Sequence, residues 1–296
     1  MSALWLRARR PSVAGVAFIS LFVLCLLALY IGFETPINAP MTSLPGMARP
    51  AHNQNYLFET VPGFFHQTID ATDSDAFDPL SSNLGLIDNG PLRWHTFKAN
   101  ISGTWQRLGS WSKLDTDGTL VWGPDALLTP LGISQAQNVS VAWKAQAKAG
   151  VPLPTSFYTS PLSRAMDTLN VTWGDWVLGT QGARGPLVME ALRETIGVHT
   201  CDKRKSKAYI HDRYPTWSFE NGFAEDDPFW TPDDRETAAA QQLRAQQALV
   251  DIMNRDDSTY ISITCHGGEI AALLRVIGHR PFSVGTGGMF LSLLVE

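Results

Sequence analysis

The chain has 296 residues, room for one large domain or two small ones, with 44% hydrophobic and 17% charged residues. A net charge of −5 and a pI near 5.8 exclude the basic footprint of a nucleic-acid binder. Three cysteines without CxxC spacing exclude a disulfide framework and argue against structural zinc, and no Walker loop or dinucleotide fingerprint occurs, so neither metal nor cofactor is expected.

Residues 1–12 form a short tail carrying Arg7, Arg9 and Arg10. Residues 13–33 follow as 21 positions without a charge, ending at Glu34. As a helix that length spans a hydrocarbon core of about 30 Å, so a transmembrane signal-anchor is expected. The arginines place the N-terminus in the cytoplasm and the body of a single-pass membrane protein in the lumenal or extracellular space. Secretion after signal cleavage is the alternative, although the run exceeds an ordinary signal region and "FETPINAP" is a poor cleavage site. Three N-glycosylation sequons agree with either route: Asn100, Asn138 and Asn170.

Residues 34–60 are rich in Pro and Asn without periodicity and read as a linker. Residues 61–296 are expected to form one domain, opening with a turn-rich excursion to residue 93. Thr129 as N-cap, Pro130 at the first helical position and Gly150 at the end delimit a helix. "TSFYTS" is a short strand ending at Ser160, and Pro161 opens the helix "PLSRAMDTLNVTW". "PLVMEAL" is another short strand. Residues 235–257 form a long helix whose stripe of Ala245, Ala248, Leu249 and Ile252 has the spacing of one helix face. "STYISIT", "GGEIAALLRVIG" and "GMFLSLLV" complete a strand–helix–strand ending. Such alternation predicts an α/β sandwich with a largely parallel sheet, and ligands in such folds sit at the carboxyl ends of strands.

Three positions fall at those ends. Arg164 could aim its planar donors at an anion, or be a surface arginine. Glu194 could protonate a leaving oxygen, or simply favour a helix start. His266, before Gly267 and Gly268, could supply a donor to a phosphate, or be a structural histidine. Cys265 beside His266 lacks the nearby arginine of a cysteine phosphatase loop, and no G-x-S-x-G elbow occurs.

In order along the chain, "PGFFHQT", "FDPLSSNLGLID", "WSKLDTDGTLVWGPDALLTPLGISQAQ", "FYTSPLSRAMDT", "LRETIGVHTCDKR", "FAEDDPFW" and "ISITCHGGEIAALLRVIGHRPF" resemble the histidine phosphatase superfamily, the phosphoglycerate mutase-like fold. The resemblance covers roughly residues 61–296. It implies a three-layer α/β/α sandwich and phosphomonoester hydrolysis through a phosphohistidine. It makes Arg164 a phosphate-binding arginine, Glu194 the proton donor and His266 the second, non-nucleophilic histidine. Its ligands are phosphorylated small molecules or phosphoproteins.

The family's nucleophile lies in an Arg-His-Gly motif at the end of the first strand, and no such triplet occurs in this chain. His95 stands nearest its place, with neither an apolar strand before it nor an adjacent Arg or Gly. Thr195 stands where many members carry arginine. The expectation is a domain that lacks both its first central strand and its nucleophile, and is inactive. The alternatives are a non-catalytic phosphate-ligand binding or interaction protein at a membrane, or the product of an incorrect gene model.

Overall fold

A computed structural model describes residues 16–24, 59–60, 67, 71–78, 115–116, 121–180, 185–284 and 288–295. The strands are β1 (Val16–Leu24), β2 (Glu59–Thr60), β3 (Ser156–Thr159), β4 (Leu187–Val188), β5 (Ser218–Phe219), β6 (Tyr260–His266) and β7 (Met289–Val295). The α-helices are α1 (Pro130–Lys148), α2 (Ser163–Trp173), α3 (Lys207–Arg213), α4 (Ala238–Arg255) and α5 (Gly267–Val276). One sheet runs β2-β7-β1-β6-β3-β4-β5. The pairs from β1 through β5 are parallel, while β7 runs antiparallel to β1 and to β2.

The position of β1 bears on two expectations. Residues 16–24 belong to the run read as a membrane helix, yet they form a strand between β6 and β7. Phe18 to Leu24 pair with Tyr260 to His266, and Val16 to Phe22 pair with Val295 to Met289. Hence the sheet lacks no member between β6 and β7, where a missing central strand was expected to leave a gap. The two readings meet in one physical signal. A parallel strand covered on both faces reads as an unbroken apolar run, and so does a membrane span. Among the described residues no helix is long and apolar enough to cross a membrane. Residues 1–15 and 25–33, most of the linker and Asn100 lie outside the described residues, as does His95.

The helix signals downstream act as read. Thr129 Oγ1 accepts from Gly132 N at 3.1 Å, Pro130 opens α1, and Gly150 takes φ 94° just beyond its end. The α4 stripe of Ala245, Ala248, Leu249 and Ile252 is buried. It packs with Ile270, Leu273 and Leu274 of α5 against Tyr158, Ile261 and Ile263 on one face of the sheet. The other face carries Val139 and Trp143 of α1, Met166, Leu169 and Trp173 of α2, and Phe157 of β3. Successive residues Phe157 and Tyr158 thus enter opposite cores, the period of two expected of a strand covered on both sides. Trp173 is fully buried, its ring 5.1 Å from Trp143 and 5.5 Å from Phe157. Each such fully buried side chain contributes about 1.5–3 kcal/mol of transfer free energy or more. The exposed faces of α1 and α2 carry Asn138 and Asn170.

Candidate functional site

The carboxyl ends of β3 and β6 lie side by side, because Ser160 N donates to Thr264 O at 3.0 Å. The next side chains along each strand therefore meet: His266 Nε2 lies 2.8 Å from Ser160 Oγ, and both residues are fully buried. The other ring nitrogen, Nδ1, has no hydrogen-bond partner among the described residues. Burial pushes the His266 pKa well below the ordinary imidazole range, and the guanidiniums of Arg164, Arg244 and Arg193 push it further down. The ring is uncharged at neutral pH.

Arg164 enters from the first turn of α2. Its Nη1 donates to Cys201 O at 2.7 Å and its Nη2 to Asp202 Oδ1 at 2.8 Å. The start of that helix is held by Asp125, whose carboxylate accepts from Ser163 N and from Ser163 Oγ, each at 2.8 Å. Asp125 therefore caps α2 from 38 residues away in sequence, with a φ of 61°.

Glu194 lies on the loop after β4. Its Oε1 accepts from Thr195 N at 2.8 Å and from Thr195 Oγ1 at 3.2 Å, while Oε2 accepts from Gly268 N at 3.2 Å. Thr195, where many family members carry arginine, thus orients the carboxylate. Gly268 is a close approach that only glycine allows, since a Cβ there would sit 2.1 Å from Glu194 Oε1. The three residues singled out in the sequence converge on one end of the sheet.

The frame beneath this loop is a set of buried ion pairs that sequence reading missed. Arg193 makes a bidentate pair with Asp227 at 2.7 and 2.6 Å and donates to Asp202 O at 2.6 Å. Arg204 donates to Glu190 Oε1 at 2.6 Å. Arg244 grips Glu236 at 2.8 and 2.7 Å, lies 3.0 Å from Glu269, and donates to the carbonyls of Ala191, Arg193 and Glu194. It thereby pins the backbone that carries Glu194. Removing one partner from such a buried pair costs about 3–5 kcal/mol, because the other charge stays buried and bare.

Glu269 gives this frame a pH dependence. Burial pushes its pKa from 4.5 up to about 8, against the pull of Arg244. The folded state then binds a proton that the unfolded state releases near pH 4.5. This contribution to stability is full below pH 4.5 and is lost as pH rises through about 8. Stability should fall in that window by at most about 1.4 kcal/mol per pH unit from this group. Glu269→Gln is expected to flatten the fall when denaturant midpoints are measured across it. An unchanged slope in the variant would assign the dependence to other groups.

His199, Cys201 and Asp202 place one potential ligand atom each within 4.8 Å of the others. Both Asp202 oxygens are already committed, Oδ1 to Arg164 at 2.8 Å and Oδ2 to Arg235 at 2.9 Å. Burial first, then the Asp202 carboxylate, pushes the Cys201 thiol up to about 12, away from the thiolate that a metal needs. The trio is wired as a hub for arginines rather than a cation cage. Cys201 and Cys265 are both free thiols.

Residues 110–285 match the family model described as histidine phosphatase superfamily (branch 1). The chain belongs to the histidine phosphatase superfamily. A "Probable phosphoglycerate mutase" of Arthroderma benhamiae is 36% identical over 281 residues, covering 80% of this chain and 84% of that protein. "Phosphomutase-like protein 3" of Candida albicans is 32% identical over 263 residues, covering 84% of this chain and 80% of that protein. Among solved structures, a mycobacterial glucosyl-3-phosphoglycerate phosphatase matches with a TM-score of 0.37 and 20% identity, over 60% of this chain and 85% of that one. β1, "VAFISLFVL", contains no histidine, arginine or other titratable residue.

Proposed function

We propose that the end of the sheet holding Arg164, Glu194 and His266 is a pocket for the phosphoryl group of a phosphomonoester, and that the chain binds such a ligand without hydrolysing it. One observation carries this reading. Arg164, Glu194 and His266 converge at the ends of β3 and β6, while the strand beside β6, whose Leu24 pairs with His266, holds no histidine. The family's covalent route needs a histidine to attack phosphorus. His266 stands on β6 instead, with its Nε2 turned to Ser160. The remaining groups suit binding: a guanidinium for two phosphoryl oxygens, an imidazole for a third, and a carboxyl group near the ester oxygen. The names of the relatives make a phosphorylated small acid of the phosphoglycerate kind a reasonable first ligand, and a phosphoprotein the second.

The test is a calorimetric titration of vanadate into the full chain. Wild type is expected to bind, and Arg164→Ala to bind at least about tenfold more weakly, the loss expected from a charged hydrogen bond worth about 1.5–3 kcal/mol. Arg164→Lys, which keeps the charge and loses the fork, should fall between them. Thermal unfolding of each variant reports whether the loss of the Asp202 pair has unfolded the domain. Equal affinity in a folded Arg164→Ala variant, or no binding by wild type, overturns the proposal.

A further inference from the structure

We infer that Ser160 is a positioning residue that fixes His266 as the Nδ1–H tautomer, so that the ring offers one N–H donor to an acceptor oxygen of the ligand. The inference follows from counting protons in a closed space. Ser160 Oγ accepts from Leu162 N at 3.3 Å, which uses one lone pair. The acceptor the structure places within reach of the single hydroxyl proton is His266 Nε2, at 2.8 Å. Both residues are fully buried.

The two tautomers differ in what they leave bare. If Nε2 carried the ring proton, it would donate to Ser160 Oγ. The hydroxyl proton would then have no acceptor among the described residues, and the Nδ1 lone pair would be bare as well. If Nδ1 carries the proton, Ser160 donates to Nε2 and both partners are satisfied at that contact. One group then remains without a partner, the Nδ1–H. An unpartnered buried donor among Arg164, Arg193 and Arg244, the cations that depress its pKa, suits an anion's oxygen.

Three features follow from the fold. Ser160 N is tied to Thr264 O, so the serine cannot drift from β6. The Leu162 amide, which directs the hydroxyl, sits at the N-cap of the helix that carries Arg164. One short segment, Ser160–Arg164, therefore sets both the tautomer of the histidine and the direction of the guanidinium. The nature of the ligand that meets the donor rests on the phosphoryl reading above, whereas the tautomer does not.

The experiment is a long-range proton–nitrogen correlation spectrum of the full chain labelled at histidine nitrogen, with the His266 signals identified by their absence in His266→Gln. The expected wild-type pattern is a protonated Nδ1 and an unprotonated Nε2. A protonated Nε2 overturns the inference. Vanadate is the probe for the second readout, and it should shift the Nδ1–H signal more than the Nε2 signal. Ser160→Ala is expected to move His266 toward the other tautomer and to weaken vanadate binding by about tenfold. Ser160→Thr keeps the hydroxyl and should restore both. If Ser160→Ala fails to fold, the wild-type spectrum still decides the tautomer. A protonated Nδ1 without vanadate binding upholds the inference and removes the phosphoryl reading. Vanadate binding with a protonated Nε2 does the reverse.

Discussion

Removing residues 1–24 is expected to abolish the cooperative thermal transition of the domain. β1 pairs along Phe18–Leu24 with β6 and along Val16–Phe22 with β7. Its loss exposes two inner strand edges at once. Each buried backbone group left unpaired costs about 1–3 kcal/mol. A handful of them exceeds the 5–15 kcal/mol by which a domain is ordinarily stable. Because β6 ends at His266, the site is lost with the sheet. The check is a melting curve by circular dichroism on the full chain and on residues 25–296. The full chain should show one sigmoidal transition and the truncated chain none. An equal midpoint in both would mean that the run 16–24 is not a member of the sheet, and would return it to the membrane reading.

The helices α1 and α4 were readable because an amphipathic helix has its own period and its own caps: Thr129, Pro130 and Gly150 in one case, the stripe from Ala245 to Ile252 in the other. The site was readable in part because Arg164, Glu194 and His266 each follow a strand, and strand ends are where an α/β fold collects its ligands. β1 was not readable, because it has no period. Its sequence carries no alternation, so nothing in 21 uncharged residues distinguishes a central parallel strand from a span. The frame of the site was not readable for a different reason. Arg193 and Asp227 are 34 residues apart, Arg164 and Asp202 are 38, and Ser160 and His266 are 106. Pairings at that separation exist only once the sheet has formed. Glu269 stands in the first turn of α5, a position where glutamate is ordinarily solvated. Its burial beside Arg244 comes from α4 and α5 packing together, which the local sequence does not express.

On the reading proposed above, a chain whose sequence holds no Arg-His-Gly triplet binds a phosphoryl group without the catalysis its family implies. On that reading Arg164 and His266 stabilise charge on a phosphoryl group, and Glu194 faces the ester oxygen. None of them supplies the lone pair that must attack phosphorus in the covalent route. Where a covalent nucleophile is removed from an enzyme built around it, turnover falls by on the order of a millionfold. The groups left behind recover only the part due to binding and electrostatics. The most direct measurement is therefore a chase for the covalent intermediate: the purified full chain is mixed with a radiolabelled phosphomonoester, quenched, and assayed for acid-labile phosphate on protein and for released phosphate. The account predicts vanadate-competable binding of the ester, no phosphohistidine, and release no faster than in the absence of protein. An acid-labile phosphoryl group on any of the seven histidines, with turnover lost when that histidine is replaced, would contradict it.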